Sequence, residues 1–260
     1  MPVPILMYHE VTERPLDAFR KYSITPAELA AQLEWLRHEG YAAVDLDDVY
    51  VAATGGRPLP ARSVAITFDD GLRDCLAHAV PALASAGFTA TFYIVAGLVG
   101  ATTRWLPAER GIELASADWP ALRAARAAGM HCQAHSLTHP RLAALSPQAC
   151  REELTRARSV LEHGLGAAVR HMSYPFGSYD RATQDIAHEA GYVTATTVEQ
   201  RLASGSDDLL ALPRVPVLGG ESLDDFATRI EGGVPSHARS SRLGRLLSRF
   251  DFRSRRGDAS

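Results

Sequence analysis

Lysine is almost missing from this chain: Lys21 is the only one in 260 residues, and arginine carries the rest of the basic charge. Cysteine is scarce too. Cys75, Cys132 and Cys150 stand apart with no C-x-x-C spacing, which excludes a disulfide framework and a thiolate zinc site and leaves small buried hydrophobes. No apolar run reaches the roughly 18–20 residues of a membrane-spanning helix. A strong charge excess is absent as well, since the formal net charge is -3, and this argues against nucleic acid as the partner. The opening Met1-Pro2-Val3-Pro4-Ile5-Leu6-Met7-Tyr8-His9 lacks the basic segment and long apolar stretch of a secretory signal. The expectation is therefore a cytoplasmic protein. What is present, 46% hydrophobic and 22% charged residues, is ordinary globular composition. The length suits one α/β barrel of about 200–250 residues.

Short apolar runs alternate with longer amphipathic ones, the pattern of repeated β–α units around a mostly parallel sheet. Strands are expected at 5–8, 42–44, 64–68, 90–95, 130–134, 171–173, 193–196 and 215–218. Helices are expected at 26–39, 70–86, 119–128, 147–163, 181–190 and 223–230. Thr25-Pro26 and Ser146-Pro147 each place a capping residue before a proline at the first helical position. Gly40, Gly87, Gly129 and Gly191 each sit where a left-handed helix end is needed. Seven or eight such units point to a closed barrel, with an open doubly wound sheet as the competing architecture. From Ser236 onward the chain changes character. Seven arginines face two aspartates, and Leu243, Leu246, Leu247 and Phe250 recur at helical spacing. The division expected is a domain over 1–235 and a basic tail over 236–260. That tail is either an interfacial helix for an anionic membrane surface or a solvated extension.

Three clusters carry chemistry. In Ala65-Ile66-Thr67-Phe68-Asp69-Asp70-Gly71 an apolar strand runs into two adjacent carboxylates. The carboxyl end of a strand opens on the active-site face of such a barrel. There one carboxylate could hold a metal and the other act as a base, although Asp-Gly is also common turn chemistry and Asp70 could cap a helix. In His135-Ser136-Leu137-Thr138-His139 two imidazoles four residues apart can reach one cation, and with a carboxylate they leave positions open for water and substrate. The alternative pair, His131 and His135, lies along a strand and is badly placed to chelate. In Ser173-Tyr174-Pro175-Phe176-Gly177 a proline fixes the backbone and a following amide can face a developing oxyanion, or the segment is a plain strand exit. Trp105 and Trp119 suit either sugar stacking at the mouth or a core or lid role.

Together these clusters resemble the polysaccharide deacetylase family, the NodB-homology esterases of carbohydrate esterase family 4. Thr67-Phe68-Asp69-Asp70 matches its first motif and His135 to His139 its second. The resemblance implies a distorted (β/α)7 barrel, Asp69 as general base, and Asp70, His135 and His139 as ligands of a divalent metal, zinc first, cobalt or nickel as alternatives. Pro175, Phe176 and Gly177 match the core of the third motif, which would turn the Phe176 N–H toward the oxyanion. Two departures stand out: Ser173 replaces an arginine that steadies the base, and the late L-x-x-H element is missing. Leu6-Met7-Tyr8-His9 looks like the branch acting on poly-N-acetylglucosamine, which implies His9 as general acid. Leu212-Pro213-Arg214 resembles a late element of that branch and implies Arg214 beside Asp69. The activity implied is hydrolysis of an N-acetyl group on a sugar of a polysaccharide or lipid-linked glycan, releasing acetate. Rival readings are a small amide or peptidoglycan sugar as substrate, or a silent glycan-binding protein.

Overall fold

A computed structural model of the protein describes residues 2–232. The apolar runs become seven parallel strands: β1 (Ile5–Tyr8), β2 (Ser63–Phe68), β3 (Thr91–Ile94), β4 (His131–Ala134), β5 (His171–Ser173), β6 (Thr194–Gln200) and β7 (Leu212–Pro216). Each pairs with the next, and β1 pairs with both β7 and β2, so the sheet closes into a (β/α)7 barrel. The strand expected at 42–44 forms as Ala42–Ala43 and pairs only with β2, outside the ring. β7 begins three residues before its expected start. Pro213 falls inside this strand, where a register shift lies between Leu212 and Arg214. Arg214 is thereby inside a strand rather than ahead of one.

The described residues also form eight α-helices: α1 (Pro26–His38), α2 (Leu46–Ala53), α3 (Arg73–Ala86), α4 (Leu106–Arg110), α5 (Trp119–Ala127), α6 (Pro147–Leu165), α7 (Arg181–Glu189) and α8 (Leu223–Ile230). Thr25 and Ser146 cap α1 and α6 through their side chains, and Gly40, Gly87, Gly129 and Gly191 all have positive φ. α2 follows a reciprocal Asp45–Asp48 capping box that sequence reading passed over. α3 starts at Arg73, not at 70, because Asp70 and Gly71 are left-handed (φ 71° and 63°). Two units are distinguished, one ending at Gly219 and the other beginning at Gly220 with α8. The expected 235/236 boundary and the amphipathic tail lie outside the described residues.

Alternation along the strands decides what the barrel encloses. Tyr8 and Phe68 stack at 4.9 Å, Phe68 and Phe92 at 4.7 Å, and the Tyr8 hydroxyl donates to Gln32 of α1. This aromatic row therefore faces the helices, and its odd-numbered neighbours Met7, Thr67 and Asp69 face the other way, into the barrel. The three cysteines are buried and unbridged.

Candidate active site

His9, Asp69 and His135 directly follow the first, second and fourth strands, so the carboxyl ends of these strands bring the three to one mouth. Met7, His9, Asp69, Asp70, His135, His139 and Phe176 line a single cleft of about 430 Å³ there. Asp69, Asp70, His135 and His139 are each no more than 5% exposed. Asp70 Oδ1 lies 3.3 Å from His139 Nε2 and 3.6 Å from His135 Nε2.

Those separations fit one cation. Donors about 2.0–2.1 Å from a tetrahedral ion stand about 3.3–3.4 Å apart, and one ligating atom from each of Asp70, His135 and His139 falls within 4.8 Å of the others. His135 Nδ1–H donates to the Ser173 carbonyl at 2.9 Å, which leaves Nε2 as the lone-pair nitrogen turned toward Asp70. Burial lowers the His135 pKa to about 4, so this ring is neutral and ready to ligate at ordinary pH. Burial opposes ionisation of Asp70, but the hydrogen bond and charge of His139, helped by His9 and His135, hold its carboxyl below the usual range.

The segment bearing both histidines is tied from several sides. Ala96 N–H donates to Ser136 O at 3.1 Å and Gly97 N–H to Leu137 O at 2.8 Å. Glu153 of α6 accepts from the Leu137 and Thr138 amides, both at 2.9 Å, and from the Thr138 hydroxyl at 2.6 Å. His139 N–H donates to Ser136 Oγ at 2.9 Å. These bonds hold Ser136 and His139 left-handed (φ 61° and 67°). With Asp70 and Phe176 (φ 58°), they are the non-glycine residues of positive φ among the described residues, and all four lie at this mouth. Strain gathered in one place marks a site that its surroundings over-determine. Past Pro175, Gly177 is also left-handed, and a Cβ there would run into Val198. The Phe176 ring meets His139 edge-on at 4.5 Å.

Arg214 stands beside Asp69 and is fully buried. Its guanidinium donates from Nη1 to Asp69 Oδ1 and from Nη2 to Asp69 Oδ2, each at 2.7 Å. The other donors go to Thr197 O (2.8 Å), Thr67 Oγ1 (3.1 Å) and Ser173 Oγ (2.9 Å). All five N–H groups are thus used, as a buried arginine requires. Ser173, which replaces an arginine at the third motif, supports Arg214 from another strand. Burial pushes the Asp69 pKa up, but the charge and hydrogen bonds of Arg214 outweigh it and hold the carboxyl well below the usual range. His9 is half-buried, its Nδ1 has no protein partner, and burial lowers its pKa against the pull of Asp69 and Asp70.

The two tryptophans part ways, and further lining residues gave no sequence signal. Trp105 stacks on His139 at 4.0 Å, so it backs a donor ring. Trp119 packs over Gly164 of α6 instead of at the mouth. Tyr22 packs against His9 at 5.1 Å, and Arg141 lies over Phe176 at 4.1 Å while pairing with Glu109 at 3.2 Å. These come from loops whose positions depend on distant contacts, and Glu153 on its helix is equally silent.

Comparison with known proteins follows the same lines. The family model described as Polysaccharide deacetylase matches residues 56–195. Bacillus subtilis YxkH is 28% identical over 229 residues, covering 88% of this chain and 76% of that protein. The poly-beta-1,6-N-acetyl-D-glucosamine N-deacetylase of Escherichia coli K12 is 25% identical over 256 residues, but only 38% of its length is covered. The solved Streptococcus pyogenes deacetylase PplD, in complex with acetate, superposes with a TM-score of 0.78 at 26% identity, covering 88% of this chain and 98% of that one. IcaB from Ammonifex degensii shares the fold, with a TM-score of 0.74 at 23% identity over 89% and 97% of the two chains.

Proposed function

The chain belongs to the polysaccharide deacetylase family, and on that premise we propose that it hydrolyses the N-acetyl group of an N-acetylated sugar with a divalent metal, zinc first among candidates. The observation that carries this reading is the convergence of Asp70, His135 and His139 beside an Asp69 clamped by Arg214. A cation held by those three donors would polarise the acetamide carbonyl and make water more acidic. Asp69, ionised throughout the working range, accepts the proton of the attacking water. Arg214 engages each carboxylate oxygen once, which orients Asp69 and leaves a lone pair on each oxygen for that proton. The Phe176 N–H donates to the developing oxyanion, a kind of contact worth about 3–4 kcal/mol when well placed. His9 hands a proton to the departing amine, a poor leaving group unless protonated. Poly-N-acetylglucosamine is the first glycan to try, because a relative is named for it. Cytoplasmic action on a lipid-linked glycan, with the basic tail at the membrane, is part of the same proposal.

Acetate release from N-acetylglucosamine oligomers tests this. Wild-type protein with added zinc or cobalt should release acetate, while Asp69→Asn should bind the same metal and release almost none. Turnover by Asp69→Asn near the wild-type rate would remove Asp69 from the role of base.

A further inference from the structure

The described cations near the mouth fall into two groups. Arg214 is spent on Asp69, Arg141 pairs with Glu109 at 3.2 Å, and Arg20 pairs with Asp17. Lys21 and Arg110 also line the cleft, and among the described residues no carboxylate comes within 4.0 Å of either. Both are placed by one aromatic ring. The Arg110 guanidinium carbon sits 4.7 Å from the centre of Tyr22 and 5.7 Å from that of Phe19, and Lys21 Nζ sits 5.5 Å from Tyr22. One Arg110 N–H donates to Ala18 O at 3.2 Å, leaving most of the planar fork without a protein acceptor. Tyr22 in turn touches His9. Lys21 and Arg110 are both exposed, so the rim of the cleft beside Tyr22 carries two solvent-facing cations that an anionic group on a ligand can reach.

We propose that this cleft takes an acidic N-acetylated glycan, whose carboxylate or phosphate rests on Lys21 and Arg110 while its acetamide reaches Asp70, His135 and His139. The inference rests on the deacetylase reading and narrows its substrate class. Aromatic stacking holds Arg110 in place before the ligand arrives, so little freedom is lost on binding, and its fork matches either oxyanion bidentately.

The test compares a neutral N-acetylglucosamine tetramer, a tetrasaccharide alternating N-acetylglucosamine with glucuronic acid, and N-acetylglucosamine 1-phosphate. At low ionic strength kcat/KM should be about tenfold higher for whichever acidic ligand fits, a ratio that salt erodes. In the double variant Lys21→Ala, Arg110→Gln the ratio should fall toward one. Because Lys21 is the only lysine, amine labelling read by mass spectrometry gives a second readout that needs no turnover: acidic ligand should shield Lys21 in Asp69→Asn and neutral ligand should not. The uronic and phosphate arms show which anion is read. Acetate release with equal rates on neutral and acidic substrates, or a preference unmoved by the double variant, overturns this inference alone. Selective shielding of Lys21 with no acetate from any substrate overturns the deacetylase reading and keeps the acidic ligand. Neither release nor shielding overturns both.

Discussion

Both ends of the barrel carry histidine–carboxylate pairs, and they differ in how the chain holds them. At the amino end His171 Nε2 lies 3.3 Å from Asp47, His131 Nε2 lies 3.4 Å from Asp45, and Thr194 meets His171 Nδ1 at 2.8 Å. None of those residues has a positive φ, and each carboxylate is shared out among separate neighbours. At the carboxyl end three donors converge on one point and four left-handed non-glycine residues surround it. β4 makes the contrast within a single strand, with His131 beginning it and His135 just past its end. A histidine beside an acid is a common way to join two elements. Convergence bought with backbone strain is the rarer arrangement, and it is the one that points to chemistry.

Removing donors should break this comparison most sharply. Asp70→Ala and His139→Ala are expected to weaken metal binding by more than about 100-fold, beyond the 10–100-fold typical of supporting groups, and to abolish acetate release. His171→Asn at the other end should change kcat/KM less than about twofold. Metal titration and initial rates on the same preparations would show it, and equal losses at both ends would erase the distinction.

The two ends also differ in what an arginine contributes to stability. Arg214→Met leaves Asp69 buried without its partner and should cost about 3–5 kcal/mol in urea unfolding. Arg170→Met loses a half-buried partner of Asp47, which keeps His171 beside it, and should cost less than about 1 kcal/mol.

A third difference appears with pH. His135 has a folded pKa of about 4, against its ordinary value of 6.5. Between these values the unfolded chain binds the proton and the folded one does not. Its contribution is therefore intact above about 6.5 and is lost as pH falls toward about 4, on the order of 3 kcal/mol in the metal-free protein. Urea unfolding across that window should show the slope, and His135→Gln should flatten it. A smaller loss than that of a donor is expected at Glu153, whose three hydrogen bonds position the histidine loop. Glu153→Gln, which keeps the shape but loses acceptor capacity, should weaken metal binding about tenfold.

Legibility in the sequence followed distance along the chain. Asp69 and Asp70 are adjacent, and His135 and His139 lie one short turn apart, so their grouping showed in local spacing. The helix ends were equally readable, because Thr25, Ser146 and the glycines act within a few residues. Asp70 was ambiguous, since Asp-Gly also makes turns and caps; in the structure its backbone is left-handed ahead of α3 and its Oδ1 lies 3.3 Å from His139 Nε2. Arg214 lies 145 residues from Asp69 in sequence. Its placement beside Asp69 was expected through family resemblance alone, and the strand that holds it was expected three residues too late. Glu153, Tyr22 and Arg110 carried no local signal, because tertiary packing brings each of them to the site; Trp105 was left open between the mouth and a core or lid role, and it backs His139.

In the proposed reaction one cation at Asp70, His135 and His139 makes the cleft a deacetylase. The most direct measurement is to strip the protein of metal and titrate zinc or cobalt back while following acetate release from an N-acetylated oligosaccharide. Expected are no release without metal, a rise that saturates near one equivalent, and no rise at any metal level in Asp70→Ala. Full release in the presence of a strong chelator would contradict it.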